Sequence, residues 1–302
     1  MSRPVMLLDT ASLYFRAFFG VPDTRRSADA PPTNAASGLL DMIARLMRDH
    51  SPSSVVACWD NDWRPAFRVD ALPSYKQHRV ATGAEEEVPD LLQEQIPLIE
   101  AMLVAAGIPP IGADGHEADD VIGTYATNAA RPVDVVTGDR DLFQIVDDQR
   151  DVRVLYTARG ISKLQVVDGV YVAQKYGVTP AQYADMATLR GDPSDGLPGV
   201  AGIGEKTAAS LLRSFGDLAG VRTAAADPTS SMTPRLRGSI TAATDYLDRA
   251  PSVVQVVTDL DLPPLPAGPP QPDDALLDLI GEEFGIGSSI SRYRVALASS
   301  HL

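Results

Sequence analysis

Nine acidic residues of this 302-residue chain occupy positions from which a reactive centre can be assembled. Asp9 closes the apolar run VMLL, Asp60 follows VVACW, and Asp139 and Asp141 follow VDVVTG. Glu117, Asp119 and Asp120 form GHEADD, and Asp192 and Asp195 lie in GDPSD. Singly, each has an ordinary explanation. Acidic side chains favour the first helical turn, where they meet the positive end of the dipole, and Asp after a strand is common turn chemistry. Jointly they imply more. Carboxylates gathered at one sheet edge repel, and some would hold a proton unless a cation intervened. Oxygen-only ligands suit the hard ions Mg²⁺ or Mn²⁺, and so many carboxylates suit two or more ions better than one. Two ions can activate water and stabilise the attacking and leaving oxygens of phosphodiester hydrolysis. Magnesium keeps several waters, so many of these groups are expected to act through water.

The elements that must position them follow from hydrophobic patterning. Val5–Asp9, Ser54–Asp60, Val133–Thr137 and Val152–Tyr156 read as short buried strands. Ala35–Arg48 (Leu39, Ile43, Leu46, Met47), Pro89–Ala106 (Leu92, Ile96, Ile99, Leu103) and Glu117–Ala130 read as helices. The alternation predicts an α/β fold with a mostly parallel sheet, whose sites form beyond the carboxyl ends of the strands. Residues 63–87 lack a period, and a loop of about 25 residues suggests function or mobility. After Val170 the pattern is helical: Val170–Tyr176, Pro180–Arg190 and Lys206–Arg213. The expected division is an α/β core over 1–175, a helical region over 176–260, and a Pro-rich connector (LPPLPAGPPQP) with a C-terminal tail over 261–302. Within that tail, Asp274–Phe284 reads as a short final helix. No repeat at a solenoid period occurs.

Composition sets limits. At 44% hydrophobic and 22% charged residues, the chain can build one large domain or two unequal ones and is not a disordered segment. The run Leu98–Ile111 is broken by Glu100, Gly107, Pro109 and Pro110, and no apolar stretch approaches the roughly 20 residues of a membrane span. MSRPVMLLDT reaches Asp9 too soon for a secretory signal, so a soluble cytoplasmic protein is expected. A single cysteine, Cys58, excludes a disulfide framework and a thiolate zinc site; within SVVACWD it reads as a small buried hydrophobe. Net charge −14 has the wrong sign for a generic nucleic-acid binder, although the nine candidate ligands carry much of it.

The motifs LLDTASLYFRAF, WDNDWRPAFR, SYKQHR, GHEADDVIG, TGDRDLFQIV and GDPSDGLPGVAGIGEKTA stand in the order found in bacterial 5′ nucleases. The chain resembles, over roughly residues 4–260, the 5′-3′ exonuclease domain of DNA polymerase I and its stand-alone relatives, and is similar to flap endonucleases. The resemblance implies a PIN-like, mostly parallel sheet flanked by helices, a helical arch or gateway over about 63–90, and a C-terminal helical DNA-binding region of helix-hairpin-helix type. It implies a structure-specific enzyme of replication and repair, acting on 5′ flaps, gaps, nicks or recessed 5′ ends of DNA. All nine acidic family positions are filled. By resemblance Asp9, Asp60, Glu117 and Asp119 lie on one metal's side, and Asp139, Asp141, Asp192 and Asp195 on the other's. A monomer associated with the nucleoid is expected. With the chain stopping at residue 302, it would act in trans with a polymerase and a ligase. There are departures: Thr10 follows the first Asp where the family has Gly, and AASGLL replaces an aromatic and glycine run. Neither removes a ligand.

In SYKQHR, an ordinary solvated loop is one reading. Beside the acidic site, Lys76 and Arg79 can instead stabilise charge on the scissile phosphate, and Tyr75 can stack on an unpaired base. Arg16, Arg25 and Arg26 are further candidate DNA contacts, and Arg64 and Arg68 weaker candidates; His78 reads as a surface residue. GLPGVAGIGEKTA is either a plain turn between helices or a backbone grip on duplex DNA. In the second reading Gly199, Gly202 and Gly204 let phosphate approach, the helix start near Lys206 and Thr207 binds an anion, and the family implies a bound K⁺. Such contacts ignore sequence. Two alternatives stay open: a PIN-type RNA nuclease using Asp9, Glu117 and Asp139, and a non-catalytic DNA-junction binder.

Overall fold

The computed structural model describes residues 3–25, 27, 30–81, 83 and 86–300; Arg26 lies outside the described residues. The sheet consists of β1 (Val5–Asp9), β2 (Ser54–Cys58), β3 (Pro110–Ile111), β4 (Val133–Thr137), β5 (Val152–Tyr156) and β6 (Gln165–Val167). Its order is β3-β2-β1-β4-β5-β6. Neighbouring strands run parallel from β3 to β5, and β6 pairs antiparallel with β5. The chain winds outward in one direction from β1 to β3 and in the other from β4, so the crevice opens beyond the carboxyl ends of β1 and β4.

Both sheet faces are covered, which is why the strands read as continuous apolar runs. Val5 and Leu7 belong to one core cluster, and Met6 and Leu8 to the other. The first face packs against α6 (Ala118–Asn128), α7 (Gly169–Tyr176), α8 (Tyr183–Arg190), α9 (Glu205–Phe215) and α10 (Leu218–Ala226). The second packs against α1 (Thr10–Gly20), α2 (Asn34–His50), α5 (Ile96–Ala105), α14 (Asp274–Phe284) and α15 (Gly287–Ser300). The remaining helices are α3 (Ala66–Ala71), α4 (Asp90–Gln93), α11 (Pro234–Ala242), α12 (Thr244–Arg249) and α13 (Pro251–Val254). Helix starts carry the expected side-chain caps: Asp9, Asp168, Asp217 and Asp273 accept backbone N–H bonds at the heads of α1, α7, α10 and α14.

Three expectations need correction. Residues 261–302 are not a tail. The Pro-rich segment lies extended along α6, where Tyr125 Oη donates to Pro263 O at 2.8 Å and Arg131 Nη2 to Pro266 O at 2.9 Å. It then delivers α14 and α15 to the second face, burying Leu277, Ile280, Ile290 and Tyr293. The proposed arch over 63–90 is, among the described residues, no long helix. It holds α3, one 3₁₀ turn at Gln77–Arg79 and the head of α4, because Arg68 and Tyr75 point inward to a buried carboxylate. Finally, α1 and α10 to α13 were not anticipated from periodicity.

Leu277 is fully buried on the second face. Leu277→Ala should therefore cost about 2–5 kcal/mol of global stability, read as a lowered urea midpoint. A change below about 0.5 kcal/mol would show that α14 frays independently of the core.

Candidate active site

The strand ends deliver the first carboxylates. Asp9 ends β1, and its side chain accepts from Ser12 N at 3.1 Å and Thr137 Oγ1 at 2.6 Å, joining the mouths of β1 and β4. Asp60, just past β2, accepts from Ala118 N at 2.8 Å and so anchors the start of α6. Asp139 follows β4, and its Oδ1 accepts the N–H of Asp141 at 2.8 Å. Asp9, Asp60, Glu117, Asp119 and Asp139 line one cleft of about 1190 Å³.

Crowding and burial shift these groups together. Burial, reinforced by Asp60 and Asp139 against the Thr137 bond, pushes Asp9 up to about 7. Burial and the charges of Asp139, Asp9 and Glu117 raise Asp119 well above the carboxylate range. Asp141 is raised well by burial and by Asp139, Asp195 and Asp192. Burial raises Asp195 to about 6 even with Lys76 and Arg79 nearby. Each of these groups prefers its proton more in the folded than in the unfolded chain. Together they cost stability at neutral pH, and the cost falls as pH drops through the raised values.

Among the described residues, no three Asp, Glu, His or Cys side chains stand close enough to hold an ion as placed. Several carboxylates have taken protein partners instead: Glu117 meets Lys76 and Arg68, Asp195 meets Arg79 at 3.0 Å, and Asp192 meets Arg190 at 3.3 Å. Asp9, Asp60, Glu117, Asp119 and Asp139 nonetheless fit a hard divalent ion, being oxygen donors on one cleft, whereas Asp141, Asp192 and Asp195 lie outside its lining.

The basic loop is fastened over this wall. Lys76 adopts a left-handed backbone (φ 47°) and donates its N–H to Asp195 O at 3.0 Å. Arg79 Nη2 reaches Ser194 O at 2.9 Å and Asp195 Oδ1 at 3.0 Å. A Cβ on Gly196 would lie 2.0 Å from Ser74 O, so only glycine lets the GDPSD turn close on the loop. Lys76, Arg79 and Arg16 line the cleft together with an aromatic set of Tyr14, Phe15, Phe19, Trp59 and Trp63. Burial disfavours the Lys76 ammonium, but Glu117 outweighs it and holds the lysine firmly charged.

Two family models match in succession: the 5′-3′ exonuclease N-terminal resolvase-like domain over residues 4–177, and the 5′-3′ exonuclease C-terminal SAM fold over 178–271. The chain belongs to the 5′-3′ exonuclease family. A 5′-3′ exonuclease of Streptomyces coelicolor is 55% identical over 97% of this chain and 100% of its own. DNA polymerase I of Mycobacterium bovis is 44% identical over 71% of this chain and 23% of its own length. A structure described as divalent metal ions (zinc) bound to T5 5′-exonuclease shares the fold, with TM-score 0.67 and 18% identity over 99% of this chain and 100% of its own.

Set against this fold, several 5′-nuclease site assignments change. Asp120, expected as a ligand, is engaged by protein donors as placed. Its Oδ1 accepts from Arg68 Nη2 at 2.6 Å and Val257 N at 2.9 Å, and its Oδ2 from Arg68 Nη1 at 3.0 Å and Glu117 N at 3.3 Å. Tyr75 cannot stack on a base as placed: it is 3% exposed, and its hydroxyl donates to Glu117 Oε2 at 2.7 Å. Arg68 is buried rather than facing DNA. Arg64 binds the carbonyls of Pro73 and Tyr75, and Arg25 binds Asp23 and Ala30 O. Gly199 is required internally, since a Cβ there would lie 2.4 Å from Arg190 O. Gly202 and Gly204 are exposed and open, at the head of a helix whose cap carries no side-chain bond, beside exposed Lys206 and half-buried Thr207. The aromatic residues of the cleft escaped the sequence reading, although SLYFRAFF carried the signal for Tyr14, Phe15 and Phe19; Arg68, expected as a weaker DNA contact, is instead a buried partner of Glu117 and Asp120.

With Asp9 raised to about 7 and Asp195 to about 6, an ion that binds them competes with protons increasingly as pH falls below 7. Mn²⁺ affinity should fall as pH drops from 8 to 6, by about tenfold overall for a proton displaced from a group near 7. Calorimetry in two buffers of different ionisation enthalpy reads the proton release directly. An affinity flat across that range contradicts the assignment.

Proposed function

We propose that the chain cleaves DNA phosphodiesters where a free 5′ strand leaves a duplex, as a 5′-flap endonuclease and 5′-3′ exonuclease requiring Mg²⁺ or Mn²⁺. One observation carries the reading: the cleft that gathers the carboxylates also holds Lys76, Arg79, Arg16 and a wall of aromatic rings. A purely structural acidic cluster needs neither unpaired-base platforms nor cations facing it.

Asp9, Asp60, Glu117 and Asp119 would hold one ion, and Asp139, Asp141, Asp192 and Asp195 another, several through water. Bound there, divalent ions supply an activated water and offset charge on the phosphate. The protein's own groups do the rest. Arg16 and Arg79 line the same cleft and can meet the phosphate there. Lys76, now on Glu117, lies within the same wall and can turn its ammonium to a non-bridging oxygen as negative charge develops there. Tyr14, Phe15, Phe19, Trp59 and Trp63 offer stacking faces to unpaired bases, a contact indifferent to sequence. Gly202, Gly204, Lys206 and Thr207 present backbone amides, a charge and a hydroxyl to duplex phosphates away from the cut. The exposed backbone at Gly202 and Gly204 is where a K⁺ would be held.

A 5′-flap DNA should be cut with Mg²⁺ or Mn²⁺, spared with EDTA, and preferred over the matched RNA. Lys76→Ala should lower the single-turnover rate about 10²–10³-fold while flap affinity stays within about threefold. Inactivity of the wild type on flap, gapped and recessed DNA would refute the function. Equal losses of rate and affinity would refute the role of Lys76.

A further inference from the structure

Arg68 is the largest fully buried side chain, at 2% exposure. It carries a cation from α3 into the base of the active-site wall and meets two other elements at once, the head of α6 and α13. Its Nη1 binds Glu117 Oε2, and Nη1 and Nη2 grip both oxygens of Asp120. Its Nε donates to Val253 O of α13 at 3.1 Å. Tyr75 Oη reinforces the same side of Glu117, at 2.7 Å from Oε2 against 3.1 Å from Oε1. Lys76, a cleft-lining residue, takes Oε1.

The two oxygens of Glu117 are therefore unequal. One is pinned from beneath by groups that do not line the cleft; the other meets the ammonium of Lys76, a residue that does. We infer that Arg68 is a positioning residue: by fixing Oε2 it presents Oε1 of Glu117 as the ion-binding oxygen. The inference rests on the metal-dependent reading proposed above and deepens it. Asp120 shares Nη1 with Glu117 and takes Nη2 for itself, and so anchors the guanidinium that meets Glu117. This gives GHEADD two distinct jobs, one carboxylate for the ion and one for the arginine that aims it. Arg68 also ties Glu117 to α13, so the helical region that would grip duplex is seated against the same carboxylate. A lysine could not substitute, because a single ammonium cannot span Glu117, Asp120 and Val253 O as the guanidinium fork does.

The test is Mn²⁺ binding by calorimetry to wild type and to Arg68→Lys, with no DNA present, alongside flap-DNA affinity in EDTA. Groups that orient a metal ligand typically change affinity about 10–100-fold when altered. Arg68→Lys should weaken Mn²⁺ binding by that factor and leave DNA affinity within about threefold, with the single-turnover rate recovering at high Mn²⁺. Mn²⁺ affinity within twofold of wild type, whatever the change in melting temperature, overturns the positioning role and leaves Arg68 a scaffold residue. If Arg68→Lys does not fold, Asp120→Asn loosens the same guanidinium without removing it. It should weaken Mn²⁺ binding severalfold, and an unchanged affinity again overturns the role. A wild type that binds no Mn²⁺ refutes the metal-dependent reading itself, an outcome separate from any difference between variants.

Discussion

Glu117 is a carboxylate almost without solvent, at 3% exposure. A charge in that position is costly unless cations and donors surround it, and removing one partner of such a buried pair costs about 3–5 kcal/mol. Much of the surrounding architecture follows from this requirement. Arg68 is drawn inward with α3, and Tyr75 and Lys76 bring the loop that carries them. Lys76 in turn places its backbone N–H on Asp195 O, and Arg79 reaches Asp195. The carboxylate groups from α6 and from the GDPSD turn are thereby held in one frame, with the basic loop between them.

The same arrangement works against stability. Asp9, Asp60, Asp119, Asp141 and Asp195 all hold their protons more tightly than free carboxylates do, chiefly because burial disfavours their charge and neighbouring acids repel it. An assembly of this kind persists only where the scaffold is rigid for other reasons. Here the scaffold is a sheet covered on both faces, with α14 and α15 completing the second. Nine of the chain's 40 acidic residues belong to this set, so it carries a large part of the formal net charge of −14.

What was legible in the sequence followed the physics of periodicity. Val5–Asp9, Val133–Thr137 and Val152–Tyr156 are strands at the bounds their apolar runs suggest, and Asp274–Phe284 is a helix. The carboxylates after β1, β2 and β4 line one cleft because parallel strands share a carboxyl edge. Side-chain fate was less legible. Asp119 and Asp120 are adjacent letters, yet one lines the cleft and the other locks an arginine. Helical rotation separates them, but only the position of Arg68, some fifty residues earlier in the chain, decides the second role. Tyr75 next to Lys76 and Arg79 looked like a nucleic-acid platform; its burial depends on Glu117 lying beneath it. The C-terminal helices were hidden by the proline-rich segment before them, which reads as an exit from the fold yet runs along α6 and returns the chain to its core.

The central claim is that these carboxylates form one divalent-ion site beneath the basic loop. Anomalous diffraction from crystals soaked in Mn²⁺ tests it most directly. The account predicts two peaks in the cleft, one beside Asp9, Glu117 and Asp119 and one beside Asp139, Asp141 and Asp195, with Asp120 still on Arg68. Peaks elsewhere, or no peak at saturating Mn²⁺, would contradict it.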